Sequence, residues 1–295
     1  MAYPTISGPY GFKPVNLIGG QVYAGATRNL PIQYGYGINI FFGDMVSITR
    51  GFITRLAVTT GGAAATGATG YGQVGMFLGC SYTDPVTKQK RFSQYWPAST
   101  LAGDAVAIVT DDPDTVFKAA MVTTQGGTTI GSASSAMIGL NVAASNLAGN
   151  TSTGNSLNGI LASSAATTAA LPFRIIDVVR DTVVNLGTAT YSSGTTTLTT
   201  SALPSALPVG TEVGFLASNG QYVGTANWVS TAAAAGDTSV VVNAQYGTAN
   251  AGGAAATAAT IAASSTLVFT QYPEVLVKVN FGVHSYYNNT GTQTA

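Results

Sequence analysis

Charge is what this sequence has least of. Only 7% of its 295 residues are Asp, Glu, Lys or Arg, against about 25% in an average soluble domain. The 11 basic residues balance 11 acidic ones. With no basic field, general nucleic-acid binding is excluded as the main role. Near-neutral surfaces associate, so much of this surface is expected to be covered by partners or kept soluble by Thr, Ser, Asn and Gly. The single cysteine, Cys80, excludes an internal disulfide. It follows "VGMFLG" and reads as a small buried hydrophobe. No run of about 20 apolar residues occurs, so no membrane-spanning helix is expected. The start "MAYPTISGPYGFKP" has no basic stretch ahead of an apolar one, so no secretory signal is expected.

Catalytic side chains are scarce as well. The one histidine, His284, has no G-x-S-x-G before it to form a hydrolase triad. Glu212 and Glu274 are the only glutamates, so a polysaccharide depolymerase would have to work with aspartates. "GATGYGQVG" is glycine-rich but lacks the Lys-Ser/Thr of a phosphate loop. "DDPD" (111–114) crowds three carboxylates, either as a cation site or as an Asp-Pro turn capping its own backbone. These readings predict no enzyme, no cofactor and no metal.

What is present is β texture. Residues 1–37 are dense in Gly, Pro and aromatic rings. Prolines this frequent exclude a helix. The segment reads as an extended arm lying on this subunit or on a neighbour, with Tyr3, Tyr10, Phe12, Tyr34 and Tyr36 as candidate partner contacts, or as an irregular lead-in to the first strand. From 38 onward, "INIFFGDMVSIT" and "VGMFLGCSY" read as strands. "TDPVTKQ" is a turn, and "KRFSQYW" the returning strand of a hairpin. "GDAVAIVT", "DDPD" and "TVFKAAM" repeat the strand–turn–return pattern. Residues 126–170 read as surface loop with one short helix. "LPFRIIDVVRDTVVN" (171–185) is strand-like, and "YPEVLVKVNFGVHSY" (272–286) is its expected partner.

Between them, 186–266 has turn signals of its own. Asn219-Gly220 between "EVGFLAS" and "QYVGTAN" marks a hairpin. The expected organisation is an all-β chain. An N-terminal arm spans 1–37, and a main barrel or sandwich spans 38–185 plus 267–295. A small β domain, 186–266, is inserted where both chain ends lie close together.

Charge concentrates at one place. Lys88, Lys90 and Arg91 fall within four positions, beside Phe92, Tyr95 and Trp96. Basic groups among rings suit single-stranded nucleic acid only along a basic track, and this cluster is short, with Asp84 just before it. A hairpin tip that orients a protein partner is the stronger expectation, with a merely solvated tip as the alternative.

The segments "GPYGFKPVNLIGGQVYAGATRNLPI", "IFFGDMVSI", "VGMFLGCSYTDPVTKQKRFSQYWPAS" and "DAVAIVTDDPDTVFKA" resemble virion structural proteins of tailed bacteriophages. The likeness is to head decoration, or cement, proteins, over roughly residues 1–125, 171–185 and 272–286. The inserted stretch resembles the Thr/Ala-rich small β domains attached to phage structural proteins. The resemblance implies a β-rich, non-catalytic body made in the host cytoplasm and bound outside a capsid shell. It implies the major capsid protein as partner and a homo-oligomer, a trimer in preference to a dimer, with neither nucleic acid nor membrane bound. It transfers no individual residue role. The alternative is a tail or fibre protein with a carbohydrate- or receptor-binding β domain. The major capsid protein itself is disfavoured, because the sequence holds no long charged amphipathic helix.

Overall fold

A computed structural model describes residues 6–56, 73–182, 184–190, 196–204, 206–207, 209, 211–216, 222–243 and 266–287. The chain is all-β. Among the described residues helical turns are limited to three short 3-10 segments, Ser135–Met137, Ala162–Ser164 and Arg180–Thr182. The strands, in chain order, begin with β1 (Lys13–Leu17), β2 (Arg28–Pro31), β3 (Met45–Thr49), β4 (Phe52–Arg55), β5 (Gln73–Thr83), β6 (Lys90–Ser93) and β7 (Val106–Thr110). Next come β8 (Thr115–Val122), β9 (Asn141–Val142), β10 (Ala144–Ser145), β11 (Gly159–Leu161) and β12 (Phe173–Val178). The last are β13 (Val184–Thr190), β14 (Thr197–Thr199), β15 (Glu212–Leu216), β16 (Tyr222–Trp228), β17 (Ser239–Val241), β18 (Thr266–Gln271) and β19 (Glu274–Val279).

The chain divides into two compact bodies. The larger takes the described residues of 5–132, 138–177 and 274–295, and the smaller those of 133–137 and 178–273. In the larger body β2, β7, β5, β3 and β4 are neighbours in that order. A bridge between Ile32, just after β2, and Ile53 of β4 brings the two ends together, so the sheet is a nearly closed barrel. Closure removes exposed strand edges. Ile32, Ile53, Val74, Phe77, Tyr82, Trp96 and Val109 fill the interior. Tyr82 meets Trp96 edge-on at 5.3 Å. β5 is the axis: β7 lies along one side, and β3 and then β6 along the other. Its side chains are accordingly nearly all buried.

The second sheet of this body runs β10-β11-β8-β19-β12-β9, with β1 also on β8. It makes β19 the neighbour of β12, the pairing expected of 272–286 and 171–185. The "DDPD" turn behaves differently from its sequence reading. β7 and β8 do not form a hairpin, because β7 belongs to the barrel and β8 to the second sheet. The turn carries the chain between sheets.

The N-terminal region lies along the larger body of this same subunit. β1 pairs with β8, and β2 with β7.

The smaller body has the sheet β13-β18-β15-β16 and a β14–β17 ribbon. Leu198, Leu207, Val213, Val229, Leu267 and Phe269 form its core. β15 and β16 are the hairpin expected around Asn219-Gly220, whose turn lies outside the described residues. β13 and β18 pair within this body, which therefore extends past 186–266 on both sides.

Candidate interaction surface

Register places three loops at one end of the barrel. Val106 stands opposite Ser81 on one side and Pro31 on the other. Hence the loop after Pro31, the loop before Val106 and the turn after Thr83 all emerge at the same level. Hydrogen bonds tie them together. Thr83 donates to Asp104 through its amide at 2.9 Å and its hydroxyl at 2.7 Å. Gly35 N donates to Thr100 O at 3.1 Å, and Ser99 N to Tyr36 O at 2.7 Å. Leu101 packs against the backbone of Gly35, where a Cβ would stand 3.5 Å from Leu101 Cδ2.

Large apolar side chains face solvent at this end. Val86 and Phe92 are 85% and 81% exposed, and Tyr34, Leu101 and Ile38 are 61%, 55% and 51% exposed. Single exposed apolar residues are ordinary, but a group gathered on one end marks an interaction surface.

Two of the three basic charges there are spent inside the chain. Lys90 Nζ lies 2.8 Å from Asp104 Oδ2, and Arg91 Nη1 3.0 Å from Asp84 Oδ2. The Lys90 ammonium, with the Thr83 donors, holds the Asp104 carboxyl well below the usual carboxylate range. The Asp84 carboxyl is also lowered, first by hydrogen bonds from the Val86 and Thr87 amides and then by Arg91. Asp84 thus caps its own turn with one oxygen and pairs with the returning strand through the other. Lys88 sits in the left-handed region usually left to Gly or Asn, at φ 59°.

Tyr34, Lys88, Lys90 and Arg91, expected as partner contacts, are therefore brought to one end of the barrel. Two of the three basic groups act on this fold, which corrects the expectation that the trio acts only on a partner. Tyr36 is half-buried against the barrel core, and its hydroxyl accepts from Arg55 N at 2.9 Å. Tyr10 and Phe12 belong elsewhere. Phe12 is fully buried and stacks on Phe173 at 4.8 Å, so it is a core residue and no partner contact. The half-buried Tyr10 hydrogen-bonds Glu274, which Lys118 also approaches at 3.3 Å. Burial, then Glu274, pushes the Tyr10 phenol well above its ordinary range. Tyr3 lies outside the described residues. Sequence reasoning missed Val86, Ile38 and Leu101 as surface residues and read Phe92 only as part of the basic cluster. The available signal was a large apolar residue inside or beside a turn, as in Pro85-Val86-Thr87.

The remaining polar clusters are internal. Asp44 is fully buried between the barrel and the 141–161 segment. It accepts from Phe41 N at 2.9 Å, Ser156 Oγ at 2.6 Å and Asn158 Nδ2 at 2.7 Å. Arg55 Nε is 3.1 Å from Asp44 Oδ2 but out of line for a hydrogen bond, so charge attraction holds that pair. Burial pushes the Asp44 carboxyl up, while Arg55, Ser156 and the Phe41 amide pull it down. The "DDPD" carboxylates do not converge on a cation. Asp111 pairs with Arg28 at 3.0 Å, Asp112 caps Asp114 N at 2.8 Å, and Asp114 meets Lys278 at 2.6 Å. His284 is buried; its Nδ1 accepts from Tyr286 N at 3.2 Å, and Ser285 N binds Gln73 O at 2.9 Å. It anchors the 283–287 segment to the start of β5. Among the described residues no three His, Cys, Asp or Glu side chains gather as metal ligands.

No protein-family model matches this chain, and no curated protein or solved structure matches it.

Proposed function

We propose that this chain is a non-enzymatic structural protein of a tailed-bacteriophage virion. It binds the outside of the capsid shell as a decoration, or cement, protein, with the major capsid protein as its partner. The observation that supports this reading best is the barrel end, where Tyr34, Ile38, Val86, Phe92 and Leu101 are exposed while Lys90 and Arg91 are paired with Asp104 and Asp84. An apolar surface with most of its charges paired within the chain loses little on desolvation. Such a surface suits burial against a protein lattice and suits a soluble substrate or a polyanion poorly. Resemblance of the N-terminal segments to decoration proteins points the same way. Self-association as a trimer would multiply modest contacts over many lattice sites. Electron microscopy of virions labelled with antibody against this chain tests the assignment. Label over the heads supports it. Label confined to tails, or particles without label, overturns it.

A further inference from the structure

The smaller body carries a feature that the capsid reading does not use. From 178 to 273 its charged side chains are Arg180, Asp181, Glu212 and Asp237, one cation against three carboxylates. Among the described residues no cation pairs with Glu212. Its Oε2 accepts from Ser135 Oγ at 2.7 Å, which orients the carboxylate, and no described residue bonds Oε1. Directly across the β15–β16 ladder from Glu212 stands Trp228, so the two side chains share one face with Cβ atoms about 5 Å apart. That face is opposite the core, because Val213 and Phe215 of β15 point the other way into the apolar cluster.

Trp228 is 42% exposed, whereas Trp96 is fully buried. An exposed tryptophan is a large apolar surface left uncovered. Here its backbone is also fixed: Trp228 N donates to Asn243 Oδ1 at 2.9 Å, and Asn243 N donates to Trp228 O at 3.0 Å. Beyond β16 the segment 241–243 continues from β17 and bridges Val229 through Val242, so the backbone beneath the exposed ring is held on both sides.

An exposed indole on a fixed backbone, beside a carboxylate oriented by Ser135 and with no cation among the described residues, is complementary to a planar cation. A guanidinium stacks on the ring face and points its donors at the carboxylate. An ammonium makes the same charge contact without the stacking. We propose that Trp228 and Glu212 form a seat for an arginine side chain of a partner protein. The net negative charge of this body favours that occupant over an acidic or neutral one. The inference stands apart from the capsid reading, since any protein that meets this body can supply the arginine.

The test is a titration of the full chain followed by the two tryptophan indole N–H signals in proton–nitrogen correlation spectra, assigned with Trp228→Phe. The probe is N-acetyl-arginine methylamide, with the lysine analogue and methyl glucoside as comparisons. The Trp228 signal should move saturably with the arginine probe while Trp96 stays still. Glu212→Gln, which keeps an oxygen for Ser135, should weaken binding about fivefold, the scale of an exposed charge pair. Added salt should weaken binding to the unsubstituted protein. A signal that does not move, equal binding by Glu212→Gln, no salt dependence, or saturation by methyl glucoside instead of arginine overturns the proposal.

Discussion

Gly75 has no space for a side chain. A Cβ there would lie 1.8 Å from Thr110 O, a backbone atom of the adjacent strand β7. Gly75→Ala should therefore cost about 3 kcal/mol or more, read as a lowered midpoint in chemical denaturation; a stable variant would show that β5 and β7 cross more loosely. Cys80 is 1% exposed, and burial pushes its thiol up to about 12. The native protein should resist thiol reagents at neutral pH and react only on unfolding, while fast labelling of the native state would contradict its place in the barrel core. Burial lowers the His284 imidazole from its ordinary value, against the raising influence of Asp111, Asp112 and the Val74 backbone and with the lowering influence of Lys278. Below about pH 6.5 the unfolded chain binds a proton at this site more readily than the folded one. Stability from His284 is thus full above that pH and declines as pH falls through it. Thermal melts from pH 7.5 to 5 should show that decline, and His284→Gln should flatten it; an unchanged slope would remove His284 as its source.

At the scale of elements, the 84–89 turn was legible and the role of its charges was not. Asp84-Pro85 announced a reversal, and β5 and β6 do form the hairpin. Nothing in local spacing could show that Lys90 would reach Asp104, because that contact depends on β7 packing beside β5. Exposed pairs contribute only about 0–1 kcal/mol, so Lys90→Glu with Arg91→Glu should shift the melting temperature little. Amide exchange at Val86 and Thr87 reports on the turn itself: Asp84 is lowered from its ordinary value, so protection should persist as pH falls to about 4 and fade only in stronger acid. The role of Phe12 was hidden for a related reason. Gly, Pro and rings excluded a helix, but Phe12 finds its partner at Phe173, far along the chain. Deleting residues 2–14 should consequently destabilise the body by about 3–5 kcal/mol through loss of a buried Phe; an unchanged denaturation midpoint would show that the segment contributes nothing to the body's core. Asp44→Ala should cost a similar amount by stranding Arg55.

For the molecule as a whole, strand character, the β12–β19 pairing and the β15–β16 hairpin were visible in alternation and turn residues. Barrel and sandwich stayed as alternatives, because closure rests on one long-range bridge between Ile32 and Ile53. The interaction surface was visible only in part: Tyr34 and the basic trio could be named, but Ile38 and Leu101 join them through register across three strands. On the proposed function, this end of the barrel is the surface that meets the capsid shell. The most direct test of that contact is co-sedimentation of purified protein with undecorated capsid shells, comparing the natural chain with a Tyr34→Ser, Val86→Ser, Phe92→Ser, Leu101→Ser variant. Aromatic and apolar anchors at an interface centre cost on the order of 2 kcal/mol or more each when lost, while removing exposed apolar groups barely alters folding. The natural chain should pellet with shells, and the variant should melt at nearly the same temperature yet stay in the supernatant. Equal binding by a folded variant, or no binding by the natural chain, would contradict the account.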